Sequence, residues 1–174
     1  MESIYEQYNK NESLTEAQLN AVNKIEKKYS EQTIMDYEKW QTQYDNEKKE
    51  IAKICALYYK NNPPYFKELA EKILKHPDFI PTEKQFNSMC KNKFTQKVIK
   101  ETKAEPKFAA GQLVQGRKNA PIKIRNSYFS IIEIGASPVV SAAKGAKMYT
   151  LLPLGRTQVV DCEERFLKKA QKIT

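Results

Sequence analysis

Catalysis needs groups that exchange protons, attack as nucleophiles or hold a metal, and this chain offers few of them. Its one histidine, His76, precedes Pro77 at an expected helix end, a place suited to capping carbonyls rather than to general-base work. Cys55, Cys90 and Cys162 lack the close pairing of a zinc site, and each has apolar neighbours in sequence, which predicts buried structural thiols. Glu163 and Glu164 follow Asp161, but acids near an expected helix start most simply complement its dipole. The sequence contains no phosphate-cradling glycine loop, nucleophile elbow or metal-binding acid cluster. The expectation is a protein without catalytic residues, metal or cofactor.

The cations say more. Lys and Arg number 30 against 21 Asp and Glu, a formal net charge of +9, and the excess is uneven: −4 over residues 1–50, +6 over 51–103 and +7 over 104–174. All four arginines (Arg117, Arg125, Arg156, Arg165) lie in the last segment. A guanidinium pairs bidentately with phosphate and stacks on bases, whereas an ammonium acts as a point charge, so the position of a scarce arginine is informative. The densest cluster runs from Arg117 and Lys118 through Ile122, Lys123, Ile124 and Arg125 to Tyr128 and Phe129. Strand alternation would set Lys123 and Arg125 on one face and Ile122 and Ile124 toward a core. Such a face tracks a phosphate backbone while Tyr128 stacks on a base, and Lys144 and Lys147, around Gly145, extend it. The competing reading is a solvated basic strand that keeps the domain soluble. Lys84, Lys91, Lys93, Lys97 and Lys100 read as the wet face of a helix. Tyr37, Trp40 and Tyr44, at helical spacing in the acidic segment, are either a core stripe or an exposed seam for a protein partner.

The elements that must hold these residues divide in two. All five glycines fall after residue 110, and glycine belongs to turns rather than helix interiors. Residues 101–107 are polar, carry Pro106 and lack apolar periodicity, as a linker does, so the expected domains are 1–100 and 108–174. Thr15 with Gln18 makes a capping box, with Leu14 and Leu19 spaced as a hydrophobic staple. Ile34, Tyr37, Tyr44, Ile51, Ile54 and Tyr58 continue a helical period, although residues 42–50 are polar enough for exposure or a bend. Asn61-Asn62-Pro63-Pro64 ends that element, and Phe66, Leu69, Ile73 and Leu74 mark a short amphipathic helix. The segment beginning Thr82-Glu83-Lys84-Gln85 repeats the one beginning Thr15-Glu16-Ala17-Gln18, which signals either related modules or shared capping chemistry.

Beyond residue 108 the rhythm changes to strands: 108–114, 122–125, 127–134, 147–152 and 158–161, then a terminal helix from Glu163 to Lys172 with Phe166, Leu167 and Ala170 inward. Short strands joined by glycine-bearing turns predict a small antiparallel β-barrel, and the fold class expected is α+β, helical domain first. The order Gly111-Gln112-Leu113-Val114, Tyr128 to Ile134, Lys147 to Leu152, Val159-Val160-Asp161 and a closing Phe166-Leu167-Lys168-Lys169 resembles the Src-homology-3-like small barrels, which also occur in accessory proteins of tailed phages. The long basic connection after the first strand and Pro153 near the end of a later one depart from that pattern. The resemblance implies a fold used to bind nucleic acid or protein.

Hydrophobic residues make up 40% and charged residues 29%, with 10 Tyr and 7 Phe to build a core. No run approaches the roughly 18 apolar residues of a membrane helix, and Met1-Glu2-Ser3-Ile4-Tyr5-Glu6 is not a secretory start. With three dispersed cysteines, the expectation is a cytoplasmic protein that makes no membrane contact. The functional expectation is a non-enzymatic accessory protein that grips DNA or RNA with its basic barrel and uses its helices for support or recruitment of a protein partner. The alternative is an adaptor that binds an acidic surface of a polymerase, ribosome or other large assembly.

Overall fold

A computed structural model describes residues 5, 6, 8, 9, 13–135 and 137–170; Met1–Ile4 and Lys172, used in the reading above, lie outside them. The chain divides into two compact units, Met1–Tyr44 and Asp45–Thr174.

In the first unit, helix α1 (Glu16–Lys28) starts at the expected capping box: Thr15 Oγ1 accepts from the Gln18 N–H at 3.4 Å, and Gln18 Oε1 accepts from the Thr15 N–H at 3.0 Å. Helix α2 (Glu31–Gln43) follows, capped by Ser30. Within the polar stretch at 42–50 the helix is interrupted only at Tyr44 and Asp45. Asp45 Oδ1 accepts from the Lys48 N–H at 2.8 Å and opens α3 (Asn46–Asn61), and that backbone bond, with Lys48 beside it, holds the Asp45 carboxyl below its ordinary value.

The second unit continues with α4 (Lys67–Lys75), α5 (Glu83–Cys90) and α6 (Lys93–Lys103). Helix α3 buries Ala52, Cys55, Ala56 and Tyr59, one stripe at three- and four-residue spacing whose small members let neighbouring helices approach closely. Tyr59 Oη accepts from Asn92 Nδ2 at 2.9 Å, while Asn92 Oδ1 caps α6, so one side chain fixes the α5–α6 corner on α3. Helix α5 opens on the same box as α1, with Thr82 and Gln85 in the two roles, so the matching segments share capping chemistry. Residues 101–103 of the stretch read as a linker form the end of α6. Val98 packs with Val139 and Ala146 beyond it, and Asn62 Nδ2 donates to the Val140 carbonyl at 2.9 Å.

Five antiparallel strands form one sheet: β1 (Leu113–Gly116), β2 (Tyr128–Ile134), β3 (Met148–Pro153), β4 (Val160–Glu163) and β5 (Leu167–Lys169), in the order β4-β3-β2-β1-β5. The sheet is open, with β4 and β5 as its edges. Alternation turns Phe129 and Ile131 of β2, Tyr149 and Leu151 of β3 and Val114 of β1 into a core with Phe108, Ile124 and Leu167. The fold is thus α+β, helices before sheet.

Two expected elements are absent. Ile122–Arg125 is not a strand. The Pro121 carbonyl accepts from both the Ile124 N–H (2.8 Å) and the Arg125 N–H (2.9 Å), which winds the chain into successive turns closed by Asn126 at φ 57°. Ile124 goes inward as expected, but Ile122 is 85% exposed. The terminal helix is replaced by a 3-10 helix, Glu164–Phe166, followed by β5. The free edge of β1 offers a ladder to this segment, pairing Gly116 with Leu167 and Val114 with Lys169, and it buries Leu167 completely. A ten-residue helical pattern is weak evidence against such a partner.

Candidate functional site

The basic strip expected on one strand face splits into two clefts, because its central segment turns. Lys123 lines the first, a concavity of about 610 Å³, together with Tyr128, Pro153, Leu154, Arg156 and Val160. Strand β2 positions it. The Tyr128 carbonyl accepts from the Leu154 N–H at 3.0 Å, which fastens the β3–β4 turn beside the start of β2. That turn then closes through the Arg156 N–H to the Pro153 carbonyl at 3.2 Å, with Gly155 at φ 77°, and so brings Arg156 to the cleft. Ile122 and Leu154 (49% exposed) supply apolar surface at its walls. No carboxylate lines it.

The second cleft, about 500 Å³, takes Arg117 and Lys144 from the expected strip and adds Lys100, Lys107 and Arg165. Its frame is a set of hydrogen bonds. Glu101 Oε2 accepts from the Gly145 N–H at 2.7 Å, Glu164 Oε2 accepts from the Lys107 N–H at 2.9 Å and from Tyr149 Oη at 2.8 Å, and the Gly145 carbonyl accepts from the Arg165 N–H at 2.8 Å. Gly145 sits at φ 72°, where a Cβ would lie 3.1 Å from that of Arg165. Tyr149 is fully buried, which pushes its phenol up to about 12.

Lys118, Arg125 and Lys147 stand apart from both clefts. Arg125 Nε donates to the Ala120 carbonyl at 3.3 Å, closing the turn it belongs to. Lys118 is exposed in the β1–β2 connection. Lys147 is half-buried, and its Nζ donates to the Thr102 carbonyl at 3.0 Å, satisfying an open carbonyl at the end of α6. Arg117 Nε donates to the Leu167 carbonyl at 2.9 Å, which leaves the remaining guanidinium donors toward the second cleft. Arg156, Lys100 and Lys107 were not among the expected site residues; for Arg156 the signal was its position after a turn glycine in the arginine-bearing segment.

Of the aromatic trio, Trp40 is 5% exposed and lies 5.7 Å from the ring of Tyr44, while Tyr37 is 43% exposed. The three cysteines are free and buried. Cys90 shares a hydrogen bond with Cys55, which together with burial pushes its thiol up, and burial pushes Cys162 up to about 12. Among the described residues no group of three His, Cys, Asp or Glu is placed to hold a metal, and no helix is long and apolar enough to cross a membrane. No protein-family model matches the chain, and no curated protein matches its sequence.

Proposed function

We propose that this chain is a non-enzymatic nucleic-acid-binding accessory protein of the cytoplasm, whose residues 108–174 belong to the Src-homology-3-like small barrels and grip phosphates, with the helices serving for support or recruitment. The barrel reading is supported by five short antiparallel strands with β1 between β2 and β5. The cytoplasm is supported by three buried, unpaired thiols. One observation carries the functional reading: Lys123, Arg156 and Tyr128 line a single cleft that no carboxylate enters. Two cations there displace condensed counterions from a phosphate backbone, and an aromatic face adds about 1–3 kcal/mol per stacked base.

The test is binding of labelled single- and double-stranded DNA and RNA at two salt concentrations. The wild type is expected to lose affinity steeply with salt, and Lys123→Gln with Arg156→Gln is expected to reduce the salt slope by about 1.4–1.8 units. Lys27→Gln with Lys28→Gln, which changes net charge equally on exposed positions of α1, is expected to cost much less. Equal losses from the two pairs refute the cleft.

A second reading has an observation of its own. Tyr29, Ile34, Met35 and Tyr37 are large, apolar and exposed within the first unit, as the docking surface of an adaptor for a larger assembly is. Under that reading purified protein binds nucleic acid no better than any protein of equal charge.

A further inference from the structure

We propose that the second cleft is an anion site of its own, one that takes phosphate groups without reading any base attached to them. Four cations reach it from separate parts of the chain: Lys100 from the last turns of α6, Lys107 from the segment after it, Arg117 from just beyond β1 and Lys144 from the β2–β3 connection. Each sits on, or next to, a residue that is hydrogen-bonded across the cleft. The Glu101 carboxylate, beside Lys100, accepts from Gly145, beside Lys144; the Lys107 N–H donates to Glu164, and the Arg117 N–H donates to the Phe166 carbonyl at 2.7 Å. The chain that carries the cations is therefore fixed before any ligand arrives, which lowers the ordering cost of binding.

They also outnumber the acids. Five cations and two carboxylates line the cleft, and both carboxylates accept from neutral donors rather than pairing with a lysine: Glu101 from Gly145, and Glu164 from a backbone N–H and the Tyr149 hydroxyl, so a formal excess of positive charge remains. Among the described residues Lys100, Lys107 and Lys144 make no ion pair, although the Lys107 ammonium lies 5.8 Å from the centre of the Phe108 ring, while Arg165, the fifth cation, pairs with Glu163 and lies over the Phe166 ring. An excess of like charge held in one cleft is relieved by an anion.

The cleft is built for phosphate oxygens rather than for bases. Its only apolar side chain is the Ala104 methyl. Phe108, beside Lys107, is turned into the sheet core. The first cleft, with Tyr128, Leu154 and Val160, offers the aromatic and aliphatic surface that this one lacks. The ligand chemistry is thus a short run of phosphates, supplied either by a nucleic-acid backbone or by a free oligophosphate.

Calorimetric titration of the full chain with inorganic triphosphate at low salt tests this without depending on the nucleic-acid reading of the first cleft. The expected result is saturable one-to-one binding that Lys107→Gln with Lys144→Gln weakens about tenfold or more, since two charge-assisted contacts are lost. Lys123→Gln with Arg156→Gln leaves it within about twofold. The Lys107/Lys144 variant is expected to melt within a few degrees of wild type, because it lowers the excess of like charge and keeps every backbone bond of the cleft, losing only the Lys107 ammonium from over the Phe108 ring; Lys100→Gln, on an exposed helical position, supplies a milder second variant with the same direction. Oligothymidylate separates the sources: its affinity falls in the Lys107/Lys144 variant if a nucleic-acid backbone occupies the cleft and is unchanged if a free oligophosphate does. Triphosphate binding that does not saturate, or that both double variants weaken equally, overturns the proposal.

Discussion

Replacing Tyr149 by Phe removes one oxygen from the centre of the second unit, and the structure sets the size of the effect. The hydroxyl donates to Glu164 Oε2 at 2.8 Å and accepts from the Phe108 N–H at 3.3 Å, and the side chain is fully buried. The ring and its edge contact with Phe108, 6.1 Å between centroids, survive the change. What is lost is a bond to a charged acceptor, worth about 1.5–3 kcal/mol, and the acceptor that the buried Phe108 N–H finds among the described residues, at about 1–3 kcal/mol. Because Glu164 keeps its bond from the Lys107 N–H, a total of about 3 kcal/mol is expected at neutral pH, or a urea midpoint lower by about 1–2 M. The effect must also depend on pH. Burial raises the phenol from its ordinary 10.0 to about 12, so between those values the unfolded chain has released the proton while the folded one still holds it. Stability conferred by this group is therefore complete below pH 10 and falls by about 1.4 kcal/mol per pH unit above it. Tyr149→Phe has no proton to lose there. Urea melts followed by far-ultraviolet circular dichroism should show the gap between wild type and variant closing from about 3 kcal/mol near pH 8 toward zero near pH 12. A gap that stays constant with pH, or one below about 0.5 kcal/mol near pH 8, refutes the reasoning.

Two further outcomes follow from backbone geometry. A Cβ on Gly116 would overlap the Ile124 carbonyl, which is backbone and cannot swing aside, so Gly116→Ala is expected to destabilise the second unit by about 3 kcal/mol, checked by chemical denaturation; a loss under about 1 kcal/mol means the turn after Pro121 yields freely. Limited proteolysis is expected to cut near Tyr44 and Asp45 and to release a resistant fragment beginning there, identified by mass spectrometry; preferential cutting at 101–107 favours the boundary read from composition instead.

Much of the helical half was legible because its signals are local. A capping box involves residues three apart, so Thr15 with Gln18 and Thr82 with Gln85 could be read directly, and both are present. Strands β2 and β3 were legible for the same kind of reason, since the run of aromatic and β-branched residues that marks a strand lies within the strand. Ile122–Arg125 alternates strictly, yet Pro121 and Asn126 wind it into turns, and Gly116 makes room for the Ile124 carbonyl from across the connection. Its strip of cations consequently divides, Lys123 joining Tyr128 and Arg156, Arg117 joining Lys144 and Lys107.

What the sequence determined by itself was therefore composition and local order: where cations concentrate, where helices begin, and that helices precede strands. What only the tertiary structure decided was which cations meet and which are occupied. Lys147 looked as available as Lys144, but it closes the end of α6, and the final segment looked helical until the open edge of β1 gave its backbone a ladder. Both outcomes turn on groups far apart in the chain, a carbonyl at Thr102 and an edge at Leu113–Gly116, and no pattern confined to a window of residues encodes where such groups come to lie.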